Sequence, residues 1–170
     1  KSERGPLGKT ALIGHTGLVG SNLTRQFRFD SLYNSKNIHE IAGKHHNLLI
    51  CSGVSGTKWI ANREPENDRA AISALLQQLE KTRADHLILI STIDVYENPN
   101  QVDEHSSINP DLLNSYGKHR HQFEQDVLSL FPDVLIARLP AIYGWNLRKN
   151  ALYDLMHRHE LEKINPESYY

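Results

Sequence analysis

Three glycines spaced three residues apart, in Gly14-His15-Thr16-Gly17-Leu18-Val19-Gly20, directly follow the apolar run Thr10-Ala11-Leu12-Ile13. Val19, Leu23 and Phe27 then recur every four residues, the spacing of one apolar helix face. A strand, a Gly-x-x-Gly-x-x-Gly turn and a helix in that order leave few folds open. The first glycine permits a tight turn and the second lets the backbone approach a pyrophosphate. The third lets the helix pack closely on the sheet. The N–H groups of Leu18 and Val19 then face the phosphates at the positive helix end. A glycine-rich turn without a ligand is the bland alternative. The position between a strand and an amphipathic helix favours a dinucleotide site.

Downstream, short apolar runs alternate with helical patterns, the signature of β-α-β units and a parallel sheet. Ser31-Leu32-Tyr33 is a weak strand, and Asn47-Leu48-Leu49-Ile50-Cys51 a clear one ending at Ser52-Gly53. A loop with Trp59 leads to a helix over about Pro65 to Lys81, with Ala71, Ile72, Leu75, Leu76 and Leu79 as its buried stripe. His86 to Ser91 reads as a buried central strand because it is apolar without alternation. A polar loop with Pro99 and Pro110 precedes a helix from about Ser115 to Leu130, and Val134 to Arg138 forms a fifth strand. A short helix is expected near Asn150 to His157. These elements predict a Rossmann-type, doubly wound α/β fold, one domain over residues 1–170. Its parallel sheet has about five strands, in the order second-first-third-fourth-fifth.

Composition excludes more than it selects. The net charge of −1 gives no electrostatic reason to expect nucleic acid or an anionic membrane as partner. No apolar run approaches the ~20 residues of a membrane-spanning helix, and Lys1 to Lys9 lacks an apolar signal core. The start at Lys1 rather than Met reads as trimming or processing. The single cysteine, Cys51, excludes an internal disulfide and fits a reducing compartment, the cytoplasm by default. The sequon Asn22-Leu23-Thr24 falls in a helical stretch and is read as a chance match. His45-His46, His119-x-His121 and His157-x-His159 lack metal-ligand spacing and read as solvated surface, so no metal is expected. Trp59 and Trp145 read as packing residues.

Further segments stand in a telling order. Leu49-Ile50-Cys51-Ser52-Gly53 follows the glycine loop, and Asn67 lies in the next helix. Then come Ser91-Thr92-Ile93-Asp94-Val95-Tyr96, Val102-Asp103-Glu104, Tyr116-Gly117-Lys118-His119-Arg120 and Arg138-Leu139-Pro140-Ala141-Ile142-Tyr143-Gly144. Over about residues 9–146 this set resembles the extended short-chain dehydrogenases/reductases, the NAD-dependent epimerase/dehydratase group. The resemblance implies a nicotinamide cofactor cradled by Gly14, Thr16, Gly17, Leu18, Val19 and Gly20, with Cys51, Ser52 and Gly53 beside it. It implies hydride transfer on a sugar or nucleotide-sugar, with Tyr116 as acid/base and Thr92 bonding the reacting oxygen. Arg120 stands where the family has a lysine. Helix spacing puts Tyr116 and Arg120 on one face, and a cation there would favour the phenolate. Arginine's planar fork is no conservative exchange for a compact ammonium. A homodimer through the tyrosine helix is a further expectation of the resemblance.

Three departures shape the reading. Ile93 has no proton to give where 4,6-dehydratases carry an aspartate, and Ala141 replaces an asparagine. Only residues 117–170 follow Tyr116, so little or no substrate domain is expected, about 145–170 being a vestigial or truncated piece of one. The weak second strand ends in Asn34-Ser35-Lys36 without a carboxylate, and Asp30 lies before it. Ser35 and Lys36, or Arg25 and Arg28, suit a 2′-phosphate, which tilts the expectation toward NADP(H) over NAD(H). The alternative to an enzyme is a catalytically silent NAD(P)-binding sensor or accessory protein, favoured by Arg120 and the missing domain.

Overall fold

A computed structural model describes residues 8–145 together with Leu147, Met156 and Arg158. In chain order the elements are β1 (Thr10–Ile13), α1 (Leu18–Gln26), β2 (Ser31–Tyr33), β3 (His45–Cys51), α2 (Lys58–Arg63), α3 (Pro65–Leu79), β4 (Arg83–Thr92), α4 (Ser115–Leu130) and β5 (Val134–Leu139). Short 3-10 turns occupy Ile38–Ile41, Ile93–Val95 and Pro110–Leu112. All strand pairs are parallel, in the order β2-β1-β3-β4-β5 that the sequence predicts. The chain reverses direction across the sheet between β1 and β3, and such switch points open the crevice where α/β sheets bind ligands.

Parallel pairing stacks side chains in rows. Ala11, Leu49 and Leu87 form one row, and Ile13, Cys51 and Leu89 the next. Both rows are almost fully buried, as are Ile72 and Leu79 of α3 and Phe123 and Val127 of α4, in the same core cluster. A fully buried leucine contributes about 2 kcal/mol relative to an exposed one, so these rows are the main reason α3 and α4 dock. Pro65 takes the first turn of α3, where its missing N–H costs nothing.

Several local expectations are corrected. The α1 stripe does not run on to Phe27: the helix stops at Gln26, Phe27 turns extended, and its ring is 61% exposed. Ala71 is exposed on α3, whose inward side is Ile72, Leu75, Leu76 and Leu79. β3 and β4 begin earlier than their apolar runs, because His45 and Arg83 continue the same ladder. The stretch around Trp59 is helical, not loop. Trp59 and Trp145 are surface rings, each covered by an arginine: Arg63 at 4.7 Å and Arg25 at 4.4 Å. His46 and His119 are buried. The helix expected near Asn150 to His157 and the 145–170 segment fall almost wholly outside the described residues. Among the described residues no helix is long and apolar enough to cross a membrane.

Candidate functional site

The three glycines of the loop serve different ends. Gly14 has φ +86°, and a Cβ there would lie 2.3 Å from the Ser52 carbonyl oxygen. Its N–H donates to the Tyr33 carbonyl at 2.8 Å, joining the loop to the end of β2. A Cβ on buried Gly20 would lie 2.2 Å from the Gly14 carbonyl oxygen. The fold itself therefore demands glycine at both positions. At Gly17 a Cβ would meet nothing nearer than 3.4 Å, so packing alone admits alanine there. The unfilled space at Gly17 is where a ligand's phosphate could approach.

The helix end above that space is electrically open. Gly17 offers no side-chain cap to α1, and the first turn has no acidic residue. The N–H groups of Leu18, Val19 and Gly20 precede the first intrahelical bond, from the Ser21 N–H to the Gly17 carbonyl at 2.9 Å. Thr16 is exposed beside them. The cradle thus fits a pyrophosphate.

Neighbouring loops complete the crevice. Ser52 is tied to β1 by its N–H and hydroxyl, both donating to the Ile13 carbonyl at 2.9 and 2.8 Å. Gly53 is exposed, whereas the Cys51 side chain is enclosed in the core and burial pushes its thiol up to about 11. The Cys51 side chain therefore offers nothing to a ligand. At the end of β2 the Asn34 amide donates to His15 Nε2 at 3.1 Å, and its oxygen accepts the Lys36 N–H at 2.8 Å. Ser35 and Lys36 are exposed at this lip. Asp30 instead accepts from the Thr10 N–H and hydroxyl, at the far end of β1 from the loop.

Tyr116 stands in the first turn of α4. Asn114 caps that helix by accepting the Gly117 N–H at 3.0 Å, and Asn62 of α2 accepts the Tyr116 N–H at 2.9 Å. A Cβ on Gly117 would lie 2.1 Å from the Asp94 carbonyl oxygen, so only glycine lets α4 press onto the turn after β4. That approach brings the Tyr116 phenol within hydrogen-bonding reach of Thr92. The Thr92 hydroxyl accepts the Asp94 N–H at 3.1 Å and donates to the Asp94 carboxylate at 3.3 Å, and Lys58 of α2 pairs with that carboxylate at 2.5 Å. Burial raises the Tyr116 phenol above its ordinary value; the Arg120 charge opposes this and Asp94 reinforces it.

Arg120 is only 4% exposed and both its terminal nitrogens are engaged. They donate to the two Asp68 carboxylate oxygens at 2.6 and 2.8 Å, to the Ser55 carbonyl at 2.7 Å and to the Tyr116 carbonyl at 3.1 Å. The guanidinium carbon lies 3.8 Å from the centre of the Tyr116 ring. Burial works against ionisation of Asp68, but hydrogen bonds from Arg120 and His119 outweigh it and hold the carboxyl below its usual range. Asn67, singled out in the sequence, is exposed and bonds Glu64 at 3.3 Å. The residue of that turn that reaches the site is Asp68, its neighbour.

A second polar network underlies the site. Glu124 of α4 is fully buried, accepting from Ser91 at 2.6 Å and from Arg138 at 3.1 and 2.7 Å. Arg138 also donates to the Tyr96 hydroxyl at 2.5 Å. Pairing across sheet and helix leaves no mark in residue spacing, so Asp68, Lys58 and Glu124 escape a sequence reading. Arg138, inside a matched motif, carries the one signal.

No protein-family model matches the chain, and no curated protein matches it in sequence. Solved structures match in fold. A dTDP-4-dehydrorhamnose reductase from Bacillus anthracis in complex with NADP superposes with TM-score 0.71 at 18% identity, covering 92% of this chain and 61% of that one. A UDP-glucuronic acid 4-epimerase from Bacillus cereus in complex with NAD gives 0.63 at 17% identity, covering 89% and 63%. TunA, an NAD-dependent NDP-hexosamine 5,6-dehydratase, gives 0.69 at 17%, covering 89% and 62%. The chain thus shares the Rossmann-type α/β fold of these structures, and it spans about three-fifths of their length.

Proposed function

We propose that the chain is the nicotinamide-dinucleotide-binding part of an oxidoreductase or epimerase acting on a sugar or nucleotide-sugar. The observation that carries this reading is the placement of Tyr116 beside Thr92, at the same end of the sheet as the glycine cradle. The bound cofactor would supply hydride chemistry. Gly17 and the first-turn N–H groups of α1 would hold its pyrophosphate. NADP(H) is the better fit at the end of β2, where Asn34, Ser35 and Lys36 offer donors and a positive charge and no carboxylate.

Tyr116 and Thr92 divide the work on the substrate. The Thr92 hydroxyl, held by Asp94, can orient a substrate oxygen. Tyr116 holds its proton at the phenol oxygen through neutral pH, because burial disfavours the phenolate. It therefore stands ready as an acid toward a carbonyl oxygen, the direction of reduction. A homodimer through α4 belongs to the same reading, since Leu128 and Leu130 lie exposed on that helix.

A second reading, a silent NAD(P)-binding sensor or accessory protein, is favoured by one observation. Arg120 is bound to Asp68, and burial outweighs its pull on the Tyr116 phenol. Titration with NADPH and NADH, in the parent and in Gly17→Asp, tests both readings at their root: a folded parent that binds neither sinks them together. Turnover of nucleotide-sugars then separates them.

A further inference from the structure

We propose that Asp68 is a positioning residue for Tyr116: by gripping both terminal nitrogens of Arg120 it holds the guanidinium against the phenol ring and offsets part of the charge it brings there. The proposal rests on Tyr116 as the proton-transferring group. Arg120 lies one helical turn after Tyr116, within reach of the phenol. A lone cation at that point would act on the phenol in full. This one is half of a bidentate pair, with both oxygens within 2.8 Å. The two side chains are 5% and 8% exposed, so water and salt screen the pair little.

Asp68 is one of several charged groups around the phenol. On the turn after β4, Asp94 raises the phenol and is itself paired with Lys58 from α2. On the α3 side, an Arg69 N–H faces His119 Nε2 at 3.5 Å, and His119 Nδ1 pairs with the Asp68 carboxylate at 2.8 Å. Removing the Asp68 charge would therefore change the field of Arg120 at Tyr116 from that of a paired ion to that of a lone one.

Ultraviolet difference titration of ionising tyrosine tests this, with Tyr116→Phe as the blank for the other six of the seven tyrosines. Asp68→Asn frees the cation and is expected to lower the Tyr116 titration by about one pH unit. Arg120→Gln frees the carboxylate and should raise it, and the double variant should bring it back toward the parent. If Asp68→Asn fails to fold by circular dichroism, Arg120→Gln against the double variant carries the same test. Identical Tyr116 titrations in all folded variants overturn the proposal. The optical signal needs no turnover, so loss of the Tyr116 mechanism, seen as unchanged activity in Tyr116→Phe, would register as a separate result.

Discussion

Asn22 and Trp145, 123 residues apart, hold each other by two hydrogen bonds: the Asn22 amide donates to the Trp145 carbonyl at 2.9 Å and accepts its N–H at 3.2 Å. The same amide also donates to the Leu18 carbonyl at 2.8 Å. The chain leaving β5 is thereby latched onto the helix that follows the glycine loop. Asn22→Ala removes both bonds across the latch and should cost about 1 kcal/mol, read as a lower denaturant midpoint. An unchanged midpoint would mean the latch adds nothing to stability.

The glycines of the loop should separate folding from binding. Gly20→Ala forces a side chain against the Gly14 carbonyl, which is backbone and cannot swing away. It should destabilise the protein by about 1–3 kcal/mol, as overpacking does. Gly17→Ala should leave thermal unfolding nearly unchanged while weakening dinucleotide binding. A Gly17→Ala protein that binds as the parent does would deny a ligand at that space.

Tyr116→Phe should lower kcat by about 10²–10⁴, the range for losing a positioned proton donor, with dinucleotide affinity kept. Because the phenol is raised above its ordinary value, it stays protonated through neutral pH. Reduction should then hold level across neutrality and fall only on the alkaline side, as the phenol ionises. A profile that falls through pH 7 would assign the proton to another group.

Acid should unfold the protein partly through Asp68. Its folded-state carboxyl is held below the unfolded value of 3.8, so its contribution is complete above that value. The contribution is lost as pH falls through the folded value. Acid unfolding curves should therefore be shallower at their low-pH end in Asp68→Asn, even if that variant is less stable at neutral pH. Parallel curves would place the acid sensitivity elsewhere.

Lys36→Ala should weaken NADPH binding on the order of tenfold, about 1.4 kcal/mol, with little change for NADH. Equal losses for both nucleotides would remove Lys36 from any 2′-phosphate contact.

Much of this architecture is written in local patterns. Leu87 and Leu89 sit in an uninterrupted apolar run, and a run of that kind is enough to mark a buried parallel strand. Gly14 and Gly20 could be assigned structural roles from spacing alone, since turn and helix packing are short-range constraints. The short helix α2 was hidden because six residues, half of them polar, are too few to show a period. Asp68 was hidden because its partner, Arg120, is 52 positions away, and nothing in the first turn of α3 distinguishes it from exposed Asn67.

The enclosed Cys51 thiol has a practical consequence. Cys51 is the chain's one cysteine, and a thiol held near 11 in the core has almost no thiolate to react with. An alkylating reagent can reach it only when β3 parts from the cover of α3 and α4. The molecule thus carries its own clock for transient opening, needing no added label site. The slowing of alkylation by a nucleotide would measure how firmly that nucleotide holds the sheet shut.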